Sequence, residues 1–256
     1  MAIASLTHGG DRLDIAYLDE TGESNGESIL LVHGFASAYK VNWVNTGWVK
    51  ALTGAGYRVV AFDNRGHGES TKFHDPTDYP LQKMAGDAMA LLDHLGIGKT
   101  HVMGYSMGAR ITATLAIGHG ERLGKIVLSG YGSNMVERSR SDWQTIRDAL
   151  RAPSLDDVDN VKGREFRVFA DQTRSDRLAL AACIEGARQS VSADALREVQ
   201  NPVLVAVGTE DDLAGSGEEL AALFPHGRFL PILGRDHMKS VGDRSHISGV
   251  LEFLAS

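Results

Sequence analysis

THVMGYSMGARITATLA, residues 100–116, decides how the rest of the chain is read. Thr100 to Met103 is a short apolar run of strand character, and Ala109 to Ala116 carries a helical pattern. Between them stands Gly104-Tyr105-Ser106-Met107-Gly108. A serine on a strained strand-to-helix turn needs glycine two residues to either side, because a Cβ there would clash. Such a turn lifts the hydroxyl above the sheet and aims the following backbone N–H where an oxyanion would form. Alone, the five residues describe no more than a flexible loop. The strand before them and the helix after them supply the meaning.

Working outward, short runs rich in Val, Ile and Leu recur at Ile29–Val32, Tyr57–Phe62, Lys125–Leu128, Pro202–Val207 and Arg228–Leu233. Runs this short, closed by Gly, Asp or His, read as buried parallel strands. Helical segments alternate with them, roughly Trp43–Ala55, Leu81–Leu95, Met107–Gly118, Gly217–Leu223 and Ser245–Leu254. In the second of these, Met84, Ala88, Leu91, Leu92 and Leu95 mark one apolar face. Ser5 to Asp19 reads as a hairpin turning at Gly9-Gly10-Asp11. The reading is an α/β fold: a mostly parallel eight-stranded sheet with helices on both faces.

Residues 131–200 interrupt the alternation. They hold 11 Lys/Arg and 12 Asp/Glu and no convincing strand. Trp143–Leu150, Gly163–Phe169 and Arg177–Gln189 read as short, polar-faced helices. This segment is read as a small helical cap inserted above the sheet, with residues 1–130 and 201–256 forming the core.

A nucleophilic serine needs a base, and the base needs an orienting acid. Among ten histidines, most sit in a hairpin, at strand starts, in loops or at helix ends. His237 differs: Gly234-Arg235-Asp236-His237 follows the last strand run. Gly208-Thr209-Glu210-Asp211-Asp212 follows the run before it, which makes Asp211 the candidate acid and Asp212 the runner-up. Ser106, Asp211, His237 is the chain order expected for a hydrolase of this architecture. His33-Gly34-Phe35 closes the first central strand, so the N–H groups of Phe35 and Met107 are the candidate oxyanion hole.

Composition narrows the field further. The 256 residues are 43% hydrophobic and 23% charged, ordinary for a globular domain. A net charge of −7 argues against general nucleic-acid binding, which needs a basic face. Cys183 is the one cysteine, so neither an intramolecular disulfide nor a cysteine-rich zinc site is available. Met1 to His8 carries no secretory signal, no run approaches a membrane span, and a cytoplasmic location is expected. Gly96-Ile97-Gly98-Lys99-Thr100 ends like a phosphate-binding loop, but Asp93 stands where that pattern needs glycine. No metal and no cofactor are expected.

Taken together, these residues resemble the α/β-hydrolase superfamily over nearly the whole chain, Leu6 to Leu254. The resemblance rests on His33-Gly34-Phe35, Asp63-Asn64-Arg65-Gly66-His67-Gly68-Glu69-Ser70, the Ser106 turn, Gly208 to Asp211 and Gly234 to His237. It implies that residues 131–200 are that family's cap and that the Asp63–Ser70 loop, His67 included, is structural. The family's alternative acid position follows the sixth strand, here Ser129-Gly130-Tyr131, which offers no carboxylate. Dehalogenases and epoxide hydrolases of the fold carry aspartate at the turn, whereas serine favours esters, lactones, thioesters or activated C–C bonds.

The expectation is therefore a serine hydrolase of a small ester or lactone working through an acyl-enzyme, with a small molecule as its partner and no nucleic acid or membrane. The alternatives are a C–C bond hydrolase of a ring-cleavage product, or a ligand sensor that retains the triad. Trp43, Tyr105, Tyr131 and Met238 are candidate pocket walls, and Trp143 and Phe166 candidate cap contacts. Arg110 is read as a structural ion pair early in its helix, with a substrate carboxylate as the alternative. The oligomeric state is left open.

Overall fold

The computed structural model describes residues 1–22, 26–136 and 143–256. Eight strands form one sheet: β1 (Ala2–His8), β2 (Asp11–Thr21), β3 (Ser28–Val32), β4 (Arg58–Phe62), β5 (Thr100–Tyr105), β6 (Leu123–Ser129), β7 (Val203–Gly208) and β8 (Gly227–Ile232). Their order is β1-β2-β4-β3-β5-β6-β7-β8. β2 runs antiparallel to β1 and β4, and every pairing from β4 to β8 is parallel. The hairpin turns on Gly9 and Gly10, both at positive φ, as the sequence anticipates.

Nine helices are described: α1 (Trp48–Gly54), α2 (Leu81–His94), α3 (Met107–His119), α4 (Trp143–Arg151), α5 (Val161–Gln172), α6 (Arg177–Gly186), α7 (Ala193–Arg197), α8 (Gly217–Ala221) and α9 (Arg244–Ala255). Side chains alternate across a strand, so β3 feeds two cores. Leu30 and Val32 pack with α2 and α3 residues such as Leu91 and Ile111. Ile29 and Leu31 pack on the other face with Trp48 and Leu52 of α1 and Val250 and Phe253 of α9. Each such buried side chain contributes about 1.5–3 kcal/mol of transfer free energy.

Between β6 and β7 the described residues contain helices and turns but no strand. α4, α5 and α6 bury Ile146, Leu150, Ala170, Leu180 and Ala181 against Ala36, which lies just past β3. That small core is thus closed by the sheet's own loop.

One helix differs from its sequence reading. The segment expected to run continuously from Trp43 to Ala55 is a tight turn at Lys40–Val44 followed by α1. Gly47, at φ +88, breaks it, because a left-handed residue cannot continue a right-handed helix. Among the described residues no helix is long and apolar enough to cross a membrane.

Candidate active site

β5 is buried along its whole length and delivers Ser106 to the edge of α3. Ser106 stands at φ +55, ψ −118, a backbone conformation that costs a non-glycine residue about 1–3 kcal/mol. The glycines make it attainable. A Cβ on Gly104 would meet Gly108 O at 2.2 Å, and one on Gly108 would meet Val32 O at 2.0 Å. The peptide N–H of Ser106 donates to Ser129 O across the sheet at 2.8 Å, fixing the turn to β6.

The loops after β7 and β8 converge on the same point. His237 Nδ1 lies 2.8 Å from Asp211 Oδ2, and His237 Nε2 lies 3.0 Å from Ser106 Oγ. Asp211 Oδ1 also accepts from the backbone N–H groups of Leu213 and Ala214, and the carboxylate is sealed from solvent. Because an ionised carboxylate only accepts, the Nδ1 proton points at Asp211, and Nε2 is left to accept from the serine hydroxyl. Close approach of the two loops depends on Gly208, where a Cβ would lie 2.1 Å from Arg235 O. Asp212, the sequence runner-up, faces the open cleft instead. Tyr105, next to Ser106, donates its hydroxyl proton to His237 O, a contact no motif announces.

Across from Ser106 runs the His33–Phe35 loop. A Cβ on Gly34 would press on Tyr105 O and the Ser106 side chain, at 3.2 and 3.3 Å. Gly34 N donates to Asn42 Oδ1 at 3.0 Å, which curls the loop inward. Among the described residues neither Phe35 N nor Met107 N has a protein acceptor, so both donors stand free at the site. His33 is buried, its Nε2 accepts from Asn64 N at 3.0 Å, and burial pushes its pKa down to about 4. Asp63 accepts from Tyr39 N and Glu69 N, joining this loop to the 63–70 loop. His67 stacks edge-on to His33 and Phe35 rather than reaching Ser106.

Ser106 and His237 open into a cleft of about 1940 Å³, whose walls include Tyr105, Tyr131, Met238, Trp143 and Phe166. The Phe166 ring of α5 sits 5.8 Å from that of Phe35, so the 131–200 segment overhangs the loop opposite the serine. Trp43 is not among the walls: it is fully buried and packs edge-on to Trp48 in the α1–α9 core. One residue's rotation about the Lys40–Val44 turn explains the difference, since Asn42 faces the cleft and Trp43 faces away. Arg110 also departs from its expected ion pair. Its N–H groups hold the backbone carbonyls of Ala187 and Gln189, beyond the end of α6. Among the described residues no group of three or more His, Cys, Asp or Glu is placed to hold a metal ion.

A sequence model of the alpha/beta hydrolase fold matches residues 27–180. Epoxide hydrolase B of Mycobacterium tuberculosis is 35% identical over 139 residues, a match covering 50% of this chain but only 38% of that protein. The 2-hydroxy-6-oxononadienedioate/2-hydroxy-6-oxononatrienedioate hydrolase of Paraburkholderia phymatum is 29% identical over 231 residues, covering 81% of this chain and 78% of the relative. The crystal structure of an enol-lactonase from Burkholderia xenovorans LB400 superposes with a TM-score of 0.80 at 23% identity over all of both chains, a likeness of fold.

Proposed function

This chain belongs to the alpha/beta hydrolase fold family, and on that footing we propose that it is a serine hydrolase cleaving a small ester or lactone through an acyl-enzyme. The observation that carries the reading is the line of contacts from Asp211 through His237 to Ser106, at 2.8 and 3.0 Å. Ser106 Oγ attacks the substrate carbonyl as His237 Nε2 takes its proton. Asp211 holds the imidazole tautomer and stabilises the imidazolium. The N–H groups of Phe35 and Met107 receive the oxyanion, a preorganised pair worth several kcal/mol in the transition state. His237 then returns the proton to the leaving oxygen, and water repeats the sequence to free the acid. No cofactor is called for. In this reading the 131–200 segment is a cap that selects the substrate.

A fluorophosphonate probe followed by peptide mass spectrometry tests the assignment. One adduct on Ser106, lost in Ser106→Ala, is expected; an adduct elsewhere, or labelling that survives the substitution, overturns it. A panel of esters and lactones then gives the turnover, and a single turnover per chain would make the protein a ligand sensor.

A second reading, hydrolysis of an activated C–C bond, is favoured by the relative named for an oxononadienedioate substrate, which matches most of this chain. Cleavage of a vinylogous diketone faster than of any ester would select it.

A further inference from the structure

Two arginines are buried and both are neutralised, whereas a third, Arg110, is half-buried at the cleft. Arg65 is fully buried and forks onto Asp87 at 2.6 and 2.7 Å, with Asp11 at 3.0 Å. Arg167 holds the carbonyls of Ala149 and Ala152 and also meets Asp171 at 3.0 Å. Arg110 holds two carbonyls in the same manner, those of Ala187 and Gln189, and has no carboxylate partner among the described residues. Its Nε is sealed from solvent and finds no acceptor among the described residues. The groups facing it are the Tyr131 ring, 5.8 Å from the guanidinium carbon, and the Cys183 thiol. Burial pulls its pKa down, the mark of a cation short of compensation. Asp159, Glu165 and Asp212 line the cleft as well, yet none pairs with it.

A charge drawn partly out of water without an opposite charge is costly, and charges so placed are ordinarily paired. Among the described residues Arg110 is the exception, and it is the one of the three that lines the cleft. It stands one helical turn after Ser106 on α3, and backbone N–H groups of that turn point back toward Ser106 O. Two carbonyl bonds fix the plane of its guanidinium and leave N–H groups unspent, a fork suited to a planar anion.

We propose that Arg110 anchors a carboxylate on the substrate, so that the molecule cleaved at Ser106 is an acid-bearing ester or lactone. The anchor and the reacting carbonyl then lie within one small molecule, separated by a few carbons. This rests on the hydrolase reading of the same cleft and adds the chemical class of its substrate.

The test compares monoethyl succinate, glutarate and adipate with the matching primary-amide esters, isosteric but uncharged, by pH-stat at neutral pH. For at least one chain length the wild type favours the acid by about tenfold or more in kcat/KM, the scale of a hydrogen-bonded charge. In Arg110→Gln that ratio falls to one or below. Equal rates for acid and amide at every length, or an acid preference that survives Arg110→Gln, overturn the proposal. Calorimetric titration with glutarate and with glutaramide reads the anchor without turnover. Tighter binding of glutarate that persists in Arg164→Gln and Arg188→Gln, the other arginines of the cleft, supports it even if Arg110→Gln fails to fold; equal affinities, or a preference lost in either of those variants, sink it. If no ester is cleaved and Ser106 takes no fluorophosphonate, the hydrolase reading has failed, while the titration still decides whether the cleft holds a carboxylate.

Discussion

Tyr105 donates its hydroxyl proton to the main-chain carbonyl of His237, so the residue before the serine holds the backbone of the histidine that faces it. Burial pushes the Tyr105 phenol far up, so it remains a donor at any working pH. The ring also packs beside the imidazole, with centroids 5.6 Å apart.

Tyr105→Phe keeps that ring contact and removes the hydrogen bond. The expected result is a kcat about tenfold lower with KM little changed, because the imidazole loses alignment rather than the substrate losing contacts. Stability should fall by about 1–2 kcal/mol, since the His237 carbonyl is left unpaired. Initial rates and urea unfolding measure the two, and an unchanged kcat removes Tyr105 from any positioning role.

Asp211→Asn should lower kcat by a factor of about 10⁴, because the amide holds the wrong imidazole tautomer against the serine. Asp212→Asn should cost far less, since Asp211 and not Asp212 pairs with His237 Nδ1, and Asp212 faces the cleft. Steady-state kinetics on one activated ester ranks the pair, and the reverse ranking moves the acid by one position.

Phe166→Ala opens the overhang beside Phe35. It should change the ratio of kcat/KM between bulky and acetyl esters by an amount equivalent to about 1–3 kcal/mol. An equal loss on every substrate would mean that the helices above the sheet help to assemble the site rather than select what enters it.

Arg65 ties three parts of the fold together: the 63–70 loop, α2 through Asp87, and the first hairpin through Asp11. Arg65→Met should destabilise the protein by about 3–5 kcal/mol, because it strands Asp87 as a buried, unpaired charge. Arg65→Met combined with Asp87→Leu should recover much of that loss. Denaturant midpoints of the single and double variants test the coupling.

His246 is buried and neutral, donating from Nδ1 to Ser240 O and accepting at Nε2 from the Ser129 hydroxyl, both at 2.9 Å. Burial pushes its pKa down to about 4, while an unfolded histidine titrates near 6.5. The unfolded chain therefore takes up this proton first as the pH drops. The stability contribution is complete above about 6.5 and is lost toward pH 4, at up to about 1.4 kcal/mol per pH unit. His246→Gln, though less stable overall, should show a shallower loss across that window. Parallel slopes in urea unfolding at pH 4.5, 5.5 and 7 would exclude the effect.

How much of this could be read beforehand follows from how local each feature is. The Ser106 turn was legible because its requirement, two glycines around one serine between a strand and a helix, sits within five residues. The loops bearing Asp211 and His237 were legible because each follows a strand run at a glycine. The expectation for Phe35 and Met107 rests on the same turns. Asn42, which curls the His33–Phe35 loop, was not legible, since nothing in Val41-Asn42-Trp43 says which residue turns toward Gly34. For the same reason the sequence does not tell that Trp43 faces the α1–α9 core rather than the cleft. The break at Gly47 had a signal, a glycine inside a helical pattern, which the apolar spacing around it overrode. The ion pair expected of Arg110 is not found among the described residues, because sequence shows the charge and not its neighbours, here two backbone carbonyls.

Ser106 and His237 lie 131 residues apart in the chain, and their contact spans four parallel strands of the sheet, from β5 to β8. Closing so long a loop is slow, and it brings no reward until the strands between have paired. A refolding chain can therefore regain most of its helix and much of its core while β8 and the loop behind it are still detached. Circular dichroism would count such a species as largely native; an assay of turnover would count it as nothing. On the proposed mechanism activity requires β8 and its loop to be docked, so recovery of rate should lag recovery of ellipticity.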